Sequence, residues 1–201
     1  MIILTISLFA GSAVIAESDG ISGQIVDNGC VCHGGGGTNQ DISVSLTGLP
    51  EGDFEPGEIY NLSLTISGGP DSDGQNQGGF NLKASAGELT SIDGSTQIED
   101  GQLTHTSSGN DQRNWTFQWV APQSGAVTFS FHGNSVDGDG SPNSEDLWNS
   151  NSLTISGPDG EQSNVGFRTD TGEPHNSLPY ILSAFIVLIL IVVISRRSDS
   201  L

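Results

Sequence analysis

The two cysteines of the chain lie one residue apart and are followed directly by a histidine: Cys30, Cys32 and His33. Two thiolates and an imidazole are ligands for haem iron and for soft transition metals. The spacing is one residue shorter than Cys-x-x-Cys-His, the pattern of covalent haem attachment. The motif therefore predicts a cofactor site near the amino terminus, which holds either haem c or another transition metal.

Two other states of the cysteine pair fit the same residues. In an oxidising exterior Cys30 and Cys32 either join in a strained disulfide or stay free. A bound metal needs further ligands, and His105 and His132 are the candidates because both lie at the ends of predicted strands. Either one serves as a second axial haem ligand, or joins His33 on zinc or copper. The sequence leaves these alternatives open.

A second group of ligand residues is acidic. Asp137, Asp139, Glu145 and Asp146 place four carboxylates within ten residues. Compared with the EF-hand loop, Ser135 takes the first position, Asp137 and Asp139 the third and fifth, and Asp146 the twelfth. Like charges in one loop repel unless a cation neutralises them. The loop therefore predicts a calcium site, with an ordinary acidic turn as the alternative, and His132 is a further candidate metal ligand.

Both ends of the chain are hydrophobic. Residues 1–16 are apolar and end in small residues, which predicts a signal peptide cut after Ala16 or, alternatively, an uncleaved anchor. Residues 178–195 carry no charge, and as a helix they would span about 27 Å, close to the ~30 Å hydrocarbon core. Arg196 and Arg197 follow and mark the cytoplasmic side. We expect a single-pass cell-membrane protein whose bulk is extracellular, with a carboxyl-terminal tail either retained or processed.

The composition supports an exterior location. The net charge is −19, with 24 acidic residues and one lysine, Lys83. Such a chain repels nucleic acid, so a nucleic-acid partner is excluded. The expected partners are the membrane and an unidentified extracellular ligand or surface component.

Short runs with a period of two fill the region between the two ends. Each run is bounded by Gly, Pro, Asn, Asp or Ser, which is typical of strands in a sandwich. About seven such strands predict an all-β, immunoglobulin-like antiparallel β-sandwich. We expect cross-strand aromatic packing to supply much of the core, with Trp115, Phe117 and Trp119 against Phe129 and Phe131. The apolar positions of the runs are Ile42, Val44 and Leu46; Tyr60, Leu62, Leu64 and Ile66; Phe80, Leu82 and Ala84; Trp115, Phe117 and Trp119; Val127, Phe129 and Phe131; and Leu153 and Ile155.

The predicted organisation follows from these patterns. The Cys-His and glycine-rich segment and the polar, Gly- and Pro-containing stalk flank the sandwich. In chain order the segments are a signal peptide at 1–16, an amino-terminal segment at 17–40, the sandwich at 41–156, the stalk at 157–177, a transmembrane helix at 178–195 and a cytoplasmic tail at 196–201.

Two Asn-x-Ser/Thr sequons occur within predicted strands. They begin at Asn61 and Asn114 and end at Ser63 and Thr116. Their occupancy depends on the sheet face that each asparagine takes. The chain contains no Gly-x-Ser-x-Gly, no His-Glu-x-x-His and no phosphate-binding loop, so hydrolytic and nucleotide chemistry have no support in the sequence.

An ordered series of short motifs resembles the choice-of-anchor V domain family of bacterial and archaeal surface proteins, which is related to the reelin-type (Reeler) sandwich. The resemblance implies an immunoglobulin-like β-sandwich with a variable carboxyl-terminal anchor, and implies no reaction. The chain departs from the Cys-x-x-Cys-His of many relatives by one residue. The matching pieces are Cys30-Val-Cys-His-Gly34, Pro56-Gly-Glu-Ile-Tyr60, Gly79-Phe-Asn-Leu-Lys-Ala84, Thr104-His105, Trp115 to Pro122, Gly125 to Asn134, and the acidic loop from Asp137 to Asp146.

Two functions follow as hypotheses. The first is a membrane-anchored surface sandwich that acts as a binding or structural module and has no evident catalytic machinery. The alternative is a surface electron-transfer module that carries a c-type haem or another metal on Cys30, Cys32 and His33.

Overall fold

Nine β-strands make up the part of the chain that the computed structural model describes, namely residues 18–23, 38–71, 75–140 and 143–160. The described residues all belong to one compact unit. The strands are β1 Ile42–Thr47, β2 Ile59–Gly68, β3 Gly78–Ala84, β4 Glu88–Ser91, β5 Thr96–Glu99, β6 Gln102–His105, β7 Asn114–Val120, β8 Ala126–Ser135 and β9 Leu147–Ser156.

The strands form two antiparallel sheets packed face to face. One sheet has four strands in the order β1-β2-β7-β4, and the other has five in the order β5-β6-β3-β8-β9. This arrangement confirms the predicted antiparallel β-sandwich. All six apolar runs named from the sequence form strands: β1, β2, β3, β7, β8 and β9. The short strands β4, β5 and β6 are only four residues each, too short for a clear period of two.

The period of two explains which side chains form the core. On β2, Leu62, Leu64 and Ile66 are buried, whereas Ser63 and Thr65 between them are half-buried and Asn61 before them is exposed. Successive side chains of a strand point to opposite faces, so alternation alone sends one set between the sheets. The same alternation continues on β7 and β8.

The aromatic core is assembled between the sheets. The prediction that Trp115, Phe117 and Trp119 meet Phe129 and Phe131 across paired strands is wrong, because β7 pairs with β2 and β4 whereas β8 pairs with β3 and β9. The turn after β7 carries the chain from one sheet to the other. Contact is made through the core instead: the rings of Trp119 and Phe129 are 5.0 Å apart at 76°, a favourable edge-to-face geometry.

Side-chain amides close one side of the sandwich. Asn149 Nδ2 on β9 donates to the carbonyls of Asn39 (3.0 Å) and Ile42 (2.9 Å), and Asn151 Nδ2 donates to the carbonyl of Val44 (3.2 Å). Ile42 and Val44 lie on β1, the edge strand of the four-stranded sheet. An uncovered edge presents unpaired backbone groups to other chains, and these amides occupy that edge.

The sandwich continues past β9. Residues 157–160, assigned to the stalk from the sequence, bond to the β7–β8 turn: Gly157 N donates to Gly125 O at 2.8 Å, and Gly125 N to Pro158 O at 2.9 Å. Gly157 lies against the ring of Phe54, where a Cβ would collide, so only glycine fits. No helix among the described residues is long and apolar enough to cross a membrane. The predicted signal peptide and transmembrane helix lie outside the described residues.

Candidate functional site

The Cys-His motif lies outside the described residues, but both of its flanks are described. On the amino-terminal side, Ile21 N donates to Thr104 Oγ1 (3.1 Å) and Ile21 O accepts from Asn81 Nδ2 (2.8 Å). On the carboxyl-terminal side, Asn39 N donates to Trp148 O at 2.8 Å. Thr104, Asn81 and Trp148 belong to β6, β3 and β9 of the five-stranded sheet. The described residues on both sides of 24–37 are therefore bonded to the five-stranded sheet.

His105 is built into the end of the β3–β6 ladder. Its ring is 6% exposed, and Nδ1 lies 3.2 Å from Phe80 N and 3.3 Å from Phe80 O. Because Thr104 Oγ1 already donates to Phe80 O at 2.7 Å, the imidazole bonds to the backbone amide of Phe80. Nδ1 therefore acts as the acceptor. The ring covers Gly79, where a Cβ would lie 2.5 Å from His105 Cε1. In this position Nδ1 has a structural role.

His132 lies on β8, on the outer face of the five-stranded sheet. It is half-buried, and its ring centroid is 6.4 Å from that of Trp148. The indole of Trp148 is 5% exposed, and its Nε1 has no hydrogen-bond partner among the described residues. The strands that carry His105 and His132, β6 and β8, lie on the two sides of β3. The described residues contain no group of three or more His, Cys, Asp or Glu side chains placed to hold a metal ion.

Asn143 organises the acidic loop after β8. Its Nδ2 donates to Asp137 Oδ2 (3.1 Å) and to Asp139 Oδ2 (3.2 Å), and its Oδ1 accepts from Glu145 N (2.7 Å). Asp146, 1% exposed, accepts from the backbone amides of Asn143 (3.2 Å) and Asp137 (3.4 Å). Backbone and side-chain N–H groups thus supply part of the counter-charge for which the sequence pattern predicted calcium.

Two details of the calcium loop differ from the sequence expectation. Ser135, the expected first ligand, is fully buried at the end of β8, and its Oγ donates to Gly68 O at 3.1 Å, so it faces away from the loop. The backbone amide of Asp139, and then Asn143, lower the pKa of the Asp137 carboxyl. Glu145 is exposed at the rim of the loop. The calcium assignment stays a prediction, with Asn143 as an added oxygen donor that sequence comparison to the EF-hand missed.

Arg113 is the second residue that the sequence analysis missed. Its guanidinium donates to four backbone carbonyls: Gln77 (2.9 Å), Gly68 (3.2 Å), Pro70 (2.8 Å) and Val136 (3.1 Å). These carbonyls belong to the last residue of β2, to the β2–β3 connection and to the residue that follows β8. Burial lowers the pKa of Arg113, and Asp71 acts in the opposite direction. The signal in the sequence was its rarity, because the chain has only five Lys and Arg residues.

Comparison with known proteins gives similarity at the level of fold. No protein-family model matches the chain, and no curated protein matches it. Among solved structures, it is similar to AggA, the major subunit of aggregative adherence fimbriae type I from Escherichia coli, at 14% identity and a TM-score of 0.35, over 59% of this chain and 96% of that one. It is also similar to a cohesin module from a Clostridium perfringens family 33 glycoside hydrolase, at 17% identity and a TM-score of 0.36, over 60% and 97%.

Proposed function

We propose that this protein is a membrane-anchored cell-surface module in which an immunoglobulin-like β-sandwich binds a partner or serves a structural role. The observation that carries the proposal is how the buried and half-buried polar side chains are used. Thr104, His105, Asn149 and Arg113 all bond to backbone groups. Groups engaged in this way build a rigid frame, and catalysis needs groups left available to a substrate.

The proposed binding site lies on the surface of this frame. The sandwich presents two outer faces and the loops at its ends, among them the acidic loop around Asn143. Flat antiparallel sheets with one solvated face present side chains at fixed spacing, which suits recognition of another surface. The proposed partner is an extracellular ligand or surface component, and membership of the choice-of-anchor V family is proposed on the sequence motifs alone.

The location is proposed from the ends of the chain. The apolar segments at 1–16 and 178–195, interpreted as a signal peptide and a transmembrane helix, favour a sandwich outside the cell with Arg196 and Arg197 inside. The net charge of −19 suits a domain that stays soluble in salt outside the cell.

Cells that express the full chain test this proposal. Protease added to intact cells should remove the sandwich, the full chain should fractionate with membranes, and a chain truncated after Ser177 should appear in the medium. The intact mass of the membrane-extracted protein shows whether Ala16 is the cleavage point and whether the tail is retained. A sandwich that resists protease on intact cells but is digested after lysis would contradict the proposal.

The redox alternative has one observation in its favour. The chain enters and leaves residues 24–37 on the five-stranded sheet, which also carries His105 and His132. We propose as the second candidate that Cys30, Cys32 and His33 hold a c-type haem or another transition metal there. Thiolates and imidazoles fit such a group chemically.

A further inference from the structure

The outer face of the four-stranded sheet is uncharged over three of its strands. On β1, β2 and β7 the side chains that alternate with the buried core residues carry hydroxyl or amide groups, except for Ile59 and Val120, an apolar pair at one end of β2 and β7. No ion pair can therefore attach a partner to this face, and a charged partner is not repelled from it. The polar outward side chains are Ser43, Ser45, Thr47, Asn61, Ser63, Thr65, Ser67, Asn114, Thr116 and Gln118.

Both sequons lie on this face. Asn61 and Ser63 are two residues apart on β2, and Asn114 and Thr116 are two residues apart on β7, so within each pair both side chains point outward. The register pairs Asn61 with Gln118 and places Asn114 opposite Thr65. Both asparagines are exposed. Both asparagines therefore face solvent, which the sequence alone left undecided.

The two amide nitrogens have different surroundings. Asn61 accepts a hydrogen bond through Oδ1 from Gln118 Nε2 at 3.0 Å, and its Nδ2 donates to no group among the described residues. Asn114 Nδ2 donates to Ser63 Oγ at 3.1 Å and also to Thr65 Oγ1. A substituent on the Asn61 nitrogen breaks no bond of the sheet, whereas one on the Asn114 nitrogen replaces a donor that joins β7 to β2.

We propose that Asn61 is an N-glycosylation acceptor, and this inference rests on the proposed surface location. The donor is an oligosaccharide linked through phosphate to a lipid. A bond forms between the anomeric carbon of the first sugar and Asn61 Nδ2, the bond from that carbon to the phosphate oxygen breaks, and Nδ2 loses a proton. The lipid phosphate leaves with the bonding electron pair.

Transfer precedes formation of the sheet. The backbone of β2 is paired with β7 along residues 59–65 and with β1 from Ser63 onward, so a transferase reaches it only while the chain is still extended. Chains modified on Asn61 can then form the sheet, whereas chains modified on Asn114 lose a donor that joins β7 to β2, so the folded protein carries its glycan on Asn61. After folding, the glycan points away from the sheet, and the Oδ1 bond to Gln118 is kept. A glycan at Asn61 lies toward one end of the uncharged face, because β1 ends at Thr47, which pairs with Ser63. It shields that end of the face from a large partner.

The test is expression of the full chain in a host whose export route carries out N-glycosylation. Intact mass before and after treatment with a glycan-releasing amidase counts the glycans, and peptide mapping locates them. We expect one glycan on the wild type, its loss in Asn61→Gln and in Ser63→Ala, and its retention in the matched control Asn114→Gln. The wild-type protein should melt at the same temperature with and without the glycan.

The outcomes separate this inference from the function on which it rests. Protease on the same intact cells reports exposure independently of the mass. An exposed protein with an unmodified Asn61, or with its glycan on Asn114 instead, overturns the inference and leaves the surface function intact. A protein retained inside the cell overturns both.

Discussion

The hydrogen bonds from the Asn149 side chain to the β1 edge allow a quantitative prediction about stability. This side chain is 8% exposed, and it makes three hydrogen bonds: two through Nδ2, to Asn39 O (3.0 Å) and Ile42 O (2.9 Å), and one through Oδ1, from Ser150 N (2.8 Å). At about 1 kcal/mol for each net bond, Asn149→Ala should lower the free energy of unfolding by about 2–4 kcal/mol. For a domain of this size that corresponds to a fall in Tm of about 6–12 °C.

Asn151→Ala is the matched control. Asn151 is the next inward-facing asparagine of β9; it is half-buried and makes two bonds, to Val44 O at 3.2 Å and from Ser152 N at 2.8 Å. Its loss should cost about 1–2 kcal/mol by the same reasoning. The assay is thermal and urea unfolding of both variants beside the wild type, with sedimentation to detect association through the β1 edge.

Asn149→Asp separates the donors from the acceptor. The introduced carboxylate still accepts from Ser150 N but faces the carbonyls of Asn39 and Ile42, so we expect it to destabilise more than Asn149→Ala at neutral pH. Those carbonyls raise the pKa of the introduced carboxyl, so stability should recover as pH falls through that raised value. The reasoning is refuted if Asn149→Ala melts no lower than Asn151→Ala, or if Asn149→Asp is as stable as the wild type at neutral pH.

Four further predictions concern the loops and the cysteine motif. Arg113→Lys replaces a fork bonded to four carbonyls with a single ammonium, so unfolding should become easier by about 1–3 kcal/mol, whereas the exposed control Lys83→Arg should leave Tm unchanged. Calcium at ten times its dissociation constant should add about 1.4 kcal/mol, and Asp139→Ala should abolish that gain; equal Tm in calcium and in chelator at matched ionic strength would reduce the loop to an acidic turn. The pKa of Asp137 is lowered from 3.8, so its ionised form stabilises the fold above that value. This stabilisation is lost as pH falls through the lower pKa of the folded state. In a plot of Tm against pH, Asp137→Asn should therefore reduce the fall in Tm at acid pH. Finally, Cys32→Ser should remove any haem absorption or bound metal seen in the wild type, and a colourless, metal-free wild type would refute the redox alternative.

The strand pattern was predictable because it is local. In β2, β7 and β8 the period of two alone decides which side chains are buried, and Leu64, Trp115 and Phe129 are all in the core as expected. The four-residue strands β4 and β5 escaped prediction, since so short a run contains too few alternations to be recognised, and β6 was expected only as the strand that ends at His105.

The pairing of strands was decided by the tertiary structure. The short turn after Trp119 is compatible with a hairpin, yet the chain crosses to the other sheet there, and the aromatic contact forms through the core. A local pattern specifies which face of a strand is apolar. It does not specify which neighbour satisfies the backbone, because those hydrogen bonds look alike for every antiparallel partner.

The candidate site shows the same division between residue type and environment. From the sequence alone, His105, Ser135 and Asn149 are side chains with donor or ligand chemistry. In the structure, His105 serves a backbone amide, Ser135 is buried against Gly68 O, and Asn149 closes a sheet edge. The sequence by itself determined the alternating core, the acidic surface and the sequon at Asn61; only the fold decided which polar groups bond to the backbone and which face solvent, because burial and hydrogen-bond partners come from residues far apart in the chain.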